Sequence, residues 1–160
     1  MPVGAASWSF TEDDYAAITD TLQRFLGESQ ARVAMLVDRA GQLVATVGEQ
    51  PAFDPTAFAT LTAADFSAND QLAKLIGEND FSSLFHQGEK ESMYLADIAR
   101  RVILVALFDN RTTLGLVRLK MKVTVDELNQ LFAAVFQRAK EPRQSTLLSG
   151  AEDEIDKMFQ

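Results

Sequence analysis

The stretch "TTLGLVRLKMKVTVDELNQLFAAVFQRAK", residues 112–140, decides the fold, because its first half reads two ways. Leu114, Leu116 and Val117 suit the start of a further strand. Yet Leu114, Val117, Met121, Val125, Leu128, Phe132 and Val135 fall on one stripe of 3.6-residue period through the whole segment. Gly115 and the β-branched residues at 117, 123, 124 and 125 cost helix propensity. The unbroken stripe favours one long helix from near Thr113, and Pro142 in the following "EPRQSTLLSG" predicts its end.

Upstream, "SSLFHQ", "SMYLADIA" and "RVILVALF" read as three antiparallel strands, the last nearly all apolar and therefore central. Further upstream, "RVAMLVD" and "QLVATVG" flank a short loop holding Gly41 and form a hairpin. Thr11 before Glu12, Asp13 and Asp14 caps a first helix, which Gly27 should stop. Asp54 caps a second helix with Pro55 at its first position, ending at Gly77. The predicted order is α-β-β-α-β-β-β-α. It describes an α+β fold with a five-stranded antiparallel sheet and helices on both faces, the first and third sharing one face. Residues 1–10 form an N-terminal extension, 11–139 the domain, 140–150 a flexible linker and 151–160 an acidic amphipathic tail.

On the second helix, Phe58, Leu61, Ala68, Leu72, Leu75 and Ile76 make the apolar stripe expected to face the sheet, with Asp65 interrupting it. The other side carries Thr60, Ala63, Ser67, Asp70, Gln71 and Lys74. It is too polar for a core and too weakly charged for an ordinary free surface. Its small residues, Ala63, Ala64, Ser67 and Ala68, permit close approach by another backbone. The tail "EDEIDKMFQ" sets Ile155, Met158 and Phe159 at groove-anchor spacing among four acids.

The composition excludes several classes of function. With 160 residues, 47% of them apolar, the chain holds one domain with one substantial core. Absence of cysteine removes disulfides, thiolate metal sites and a cysteine nucleophile, and fits a cytoplasmic location. A formal charge of −8 argues against nucleic acid as a partner. "MPVGAASWSF" lacks the basic start and apolar run of a signal peptide, and the longest apolar run, 102–108, is far too short for a membrane span.

Little in the sequence resembles an active site. The single histidine, His86, has no partner ligands at metal-site spacing, so neither a metal nor a catalytic residue is expected. The tail acids lack the ligand spacing and central glycine of a calcium loop. No Gly-rich phosphate loop or serine elbow is present, and no cofactor is expected. Arg111 in "FDNRTTLG" suits a turn whose Asp109 and Asn110 cap the next helix better than it suits an arginine finger. Arg100 and Arg101 read as charges guarding a sheet edge.

The hairpin "LVDRAGQLVATVGE", the string "RVILVALFDNRTTLGLVRLK" and the element order resemble the roadblock, or dynein-light-chain-type, domain family. "LTAADFSANDQLAKLIGENDF" and the acidic tail "EDEIDKMF" resemble its bacterial polarity-regulator subgroup, which partners small Ras-like GTPases. The resemblance implies that "LGLVRLK" opens the third helix. It implies a homodimer in which the second helix and third strand meet across a two-fold axis to form a ten-stranded sheet. It further implies activation of a GTP-bound small GTPase without an arginine finger, by moving the GTPase's own switch residues into register. Carried onto this sequence, the GTPase-binding residues are Thr60, Ala63, Ala64, Ser67, Ala68, Gln71 and Lys74. Ile155, Met158 and Phe159 would make a second contact that influences nucleotide exchange, and polar localisation and motility are features of some relatives. A scaffold that binds a GTPase without stimulating it, and a small-molecule sensory domain, are the competing readings.

Overall fold

The computed structural model describes residues 10–158, with side chains up to Arg138. The elements run α1 (Glu12–Ser29), β1 (Val33–Asp38), β2 (Leu43–Gly48), α2 (Pro55–Leu75), β3 (Ser83–Gln87), β4 (Ser92–Ile98), β5 (Val102–Phe108) and α3 (Leu114–Met158). All strand pairs are antiparallel, in the order β2-β1-β5-β4-β3. The most apolar strands, β1 and β5, lie inside the sheet, where both faces are covered. α3 begins at Leu114, so the segment with two readings is helix from its start.

Local chemistry explains the boundaries. Thr11 and Asp14 form a reciprocal capping box at α1. Asp54 accepts from the Thr56 amide at the start of α2, with Pro55 following. The left-handed residue that ends α1 is Gln30, at φ 62°, so α1 runs past Gly27 by two residues. Gly41, at φ +91°, lets the β1–β2 turn pass beneath α2, since a β-carbon there would lie 3.2 Å from Thr60 Cα.

The sheet separates two cores. On one face α1 and α3 pack together over Leu36, Ile98, Leu104 and Ala106, contributing Ile18, Leu22, Phe25, Met121, Leu128 and Phe132. Arg24 and Glu127 join the two helices at 2.7 Å. On the other face α2 covers Val33, Met35, Val37, Leu95, Ile103 and Val105. That division matches the sequence reading; the inward face of α2 does not. Its buried residues are Ala59, Thr62, Ala63, Phe66, Asn69 and Ala73, while Leu61, Leu72, Leu75 and Ile76 are exposed. Because bulky β-branched and aliphatic strand residues already fill this face, the helix fits by presenting small residues and one plug, Phe66. Within the expected apolar stripe Phe58 packs on this core, whereas Leu61, Ala68, Leu72, Leu75 and Ile76 point outward.

Two further expectations are corrected. Arg100 and Arg101 guard no edge, because the β4–β5 turn joins neighbouring strands inside the sheet. Arg100 pairs with Asp80 at 3.4 Å, and Arg101 lies over the Phe136 ring. Pro142 does not end the last helix: helical backbone continues across it to Met158. A proline ring disfavours this by about 3 kcal/mol. Against it stands a flank of helix formers, including Lys140, Glu141, Gln144, Leu147 and Leu148.

Candidate functional site

At about 100° per residue, the outward surface of α2 divides into two flanks. Thr60, Ser67, Gln71 and Lys74 lie on one, toward Asp70; Leu61, Leu72 and Ile76 lie on the other, toward Asp65. Ala64, Ala68 and Leu75 occupy the crest between them. Six of the seven residues singled out from sequence are exposed; Ala63 is buried at 8% exposure and packs toward the turn at Gly41. The exposed leucines were absent from that set, although their crowding on one helix was visible in the sequence.

Three polar tethers fix α2 on the sheet. Arg39, in the β1–β2 turn, donates to Asp70 at 2.8 Å and also to Asp97 on β4. Its guanidinium sits 4.8 Å from the centroid of the Phe66 ring. Burial works against the Arg39 charge, but the hydrogen bonds to Asp70 and Asp97 outweigh it and raise its pKa above the ordinary arginine value. Its Nε, and Nδ2 of Asn69 beside Asp70 in the chain, are buried without a hydrogen-bond partner. On the opposite flank, His86 Nε2 and Asp65 Oδ2 are 2.6 Å apart, linking α2 to β3. The Thr60 hydroxyl donates to the Thr56 carbonyl at 3.1 Å and lies 3.5 Å from the Gly41 carbonyl. The lone histidine thus has a structural partner.

Among the described residues β3 pairs only with β4, leaving its other edge open. The apolar flank of α2 lies on the side of that edge, as the His86–Asp65 contact shows. An open strand edge beside exposed leucines is a surface suited to pairing with another chain.

Arg111 sits at the far end of the β1–β2 hairpin from Gly41. Its guanidinium contacts Asp109 at 3.0 Å and Glu49 at 3.2 Å. Arg32 joins the same cluster through Glu49 at 2.7 Å and through Glu91. The hydrogen bond from Arg32, with that from Arg111, holds Glu49 below the usual carboxylate range; Arg111 does the same for Asp109. The Asp109 and Glu49 hydrogen bonds raise the Arg111 pKa in turn. Among the described residues no group of His, Cys, Asp and Glu is placed to hold a metal ion, and no helix is long and apolar enough to cross a membrane. The side chains of Ile155 and Met158, and Phe159 altogether, lie outside the described residues.

Comparison with known proteins agrees with this fold. The model of the Roadblock/LC7 domain matches residues 17–108. No match is found among curated proteins. Among solved structures, Myxococcus xanthus MglB is similar at 44% identity and a TM-score of 0.72, covering 75% of this chain and 98% of that one. The gliding protein MglB of Thermus thermophilus is similar at 31% identity and a TM-score of 0.73, covering 78% and 95%. A structure described as MglB with tetrameric arrangement matches at 31% identity and a TM-score of 0.74, covering 78% and 94%.

Proposed function

The chain belongs to the Roadblock/LC7 domain family, and from that premise we propose that it is a homodimeric regulator that activates a small Ras-like GTPase. The observation carrying this reading is the two-flanked outward face of α2 beside the open edge of β3. The apolar flank and β3 form the dimer contact, extending two five-stranded sheets into one of ten strands. Assembly of a similar protein supports this part: one solved relative is described as tetrameric. The polar flank and crest, Thr60, Ala64, Ser67, Ala68, Gln71 and Lys74, receive the GTP-bound GTPase. The small side chains of Ala64, Ser67 and Ala68 allow a partner backbone to approach closely, and α2 is pinned to the sheet on both sides, so the surface is rigid.

Activation works by positioning. A preorganised surface that fits the GTPase only when its switch residues are in hydrolytic register lowers the barrier without supplying a catalytic group. Arg111 supports this, since two carboxylates already hold its guanidinium. The C-terminal segment, with Ile155, Met158 and Phe159 as anchors, makes a second tethered contact that raises avidity and biases exchange. Titration calorimetry with a small Ras-like GTPase encoded in the same genome tests the surface. The wild type should bind the GTP-loaded form more tightly than the GDP-loaded form. Ser67→Arg with Gln71→Arg should abolish that binding while leaving the dimer intact. Binding unaffected by the double substitution would remove α2 from the contact.

A further inference from the structure

The opposite face of the domain carries a groove that the proposed GTPase contact does not use. It lies between the first half of α3 and β4, is open to solvent with a volume of about 320 Å³, and is lined by Tyr94, Gly115, Arg118, Leu119 and Lys122. Gly115 opens a notch where other residues of α3 would project side chains. Leu119 is 60% exposed, and Val123, one turn further along, is 53% exposed. Two large apolar side chains standing in water on one helix stripe form an incomplete contact.

The charge around the groove is unusual for this chain. Acids outnumber bases by 23 to 15 over the whole sequence, yet the groove lining includes two cations, Arg118 and Lys122, and no acid; the next acid along α3 is Asp126. The other seven described arginines are held: Arg24, Arg32, Arg39, Arg100, Arg111 and Arg138 by carboxylates, and Arg101 by an aromatic ring. Among the described residues no ion pair engages Arg118, Lys120 or Lys122. The groove is therefore apolar within and cationic at its rim.

We propose that this groove is a seat for the chain's own C-terminal segment, residues 151–160. That segment has the complementary composition. Ile155, Met158 and Phe159 supply apolar anchors, and Glu152, Asp153, Glu154 and Asp156 supply charge opposite to the rim. The reach is also right. From Pro142 back to the level of Val125 is about 26 Å along α3 at ~1.5 Å per residue. Eight residues of extended chain from Pro142 to Gly150 span about the same distance at ~3.3 Å each. A chain that leaves the helix at Pro142, where a helix is weakest, would lay the tail antiparallel over Val123 and Leu119. The protein then alternates between a tail projected on the α3 extension and a tail docked on its own domain. Docking withdraws the tail anchors from any partner. The inference stands on groove and tail alone and does not rest on the GTPase reading.

The lack of cysteine makes a direct test simple. Asn110→Cys with Gln160→Cys places spin labels at an exposed position before α3 and at the chain end, diluted into unlabelled protein so that only distances within one chain register. The continuous helix sets the labels roughly 65–75 Å apart. The docked state sets them within about 30 Å. The expected result is a resolved short-distance population that shrinks when salt rises from 0.05 to ~0.5 M. It should disappear on Arg118→Glu with Lys122→Glu, and again on Leu119→Asp, with circular dichroism unchanged. A long distance alone in low salt would overturn the proposal. So would a short distance indifferent to both sets of substitutions, or one seen only between labels on different chains.

Discussion

Replacing Arg39 with methionine should destabilise the protein and loosen α2, and the size of the effect follows from the surroundings. Arg39 bridges Asp70 on α2 and Asp97 on β4, with side-chain exposures of 30%, 24% and 21% for the three groups. Methionine keeps the apolar stem against Phe66 but leaves two carboxylates without their common partner. Removing one member of a fully buried ion pair costs about 3–5 kcal/mol. Partial exposure screens the stranded charges, while loss of the contact with the Phe66 ring adds up to about 1 kcal/mol. The expected loss is therefore about 2–3 kcal/mol. Arg39→Lys retains charge without the fork that reaches both acids, and should lose about half as much. Urea unfolding at one fixed protein concentration, with an unchanged m-value, measures this directly. The Arg39→Met, Asp70→Asn cycle should return a coupling of at least about 1 kcal/mol. A loss under about 0.5 kcal/mol for Arg39→Met, or purely additive substitutions, would refute the claim that this arginine clamps α2.

Two further outcomes are expected. Leu61 and Leu72 are 69% and 58% exposed in the single chain, so Leu61→Glu with Leu72→Glu should leave the fold intact. If both become buried on dimerisation at ~2 kcal/mol for a full leucine, sedimentation should show dimer affinity weakened at least a hundredfold; an unchanged dimer would place its contact elsewhere. Glu49 and Asp109 have folded-state pKa values below their ordinary values of 4.5 and 3.8. Their contribution is present above that range and is lost as pH falls through the lowered folded values, because the unfolded chain takes up protons first. Thermal midpoints measured from pH 7 down to ~3 should therefore decline below about pH 4.5, and less steeply in Glu49→Gln; equal slopes would show that the cluster gives no such linkage.

Much of the fold was legible because its signals are local. Capping at Thr11 and Asp54, the glycine in the β1–β2 turn and the stripe along α3 are each read within a few residues, and the two-sided covering of the sheet follows from apolar β1 and β5. The inward face of α2 was not legible in the same way. Leu61 and Leu72 outweigh Ala59, Ala63 and Ala73 on any hydropathy count. Which set turns inward depends on strand side chains that already occupy the space. The Arg39 clamp escaped for a different reason: Asp70 and Asp97 lie 31 and 58 residues away in sequence, and only the fold brings them together. At the end of α3, the proline rule predicted a stop where the backbone remains helical. Of the seven α2 residues named from sequence, all but Ala63 are exposed, whereas hydropathy alone placed the leucines on the inward side.

If the proposed mechanism holds, the polar flank of α2 accelerates hydrolysis in a bound GTPase. Single-turnover GTP hydrolysis by a small Ras-like GTPase from the same genome tests it most directly, with wild type, Ser67→Arg plus Gln71→Arg, and Arg111→Ala compared. A large acceleration by wild type is expected, lost in the α2 variant and retained in Arg111→Ala. Stable binding of the GTP form with no acceleration, or acceleration that vanishes with Arg111 and survives the α2 substitutions, would contradict it.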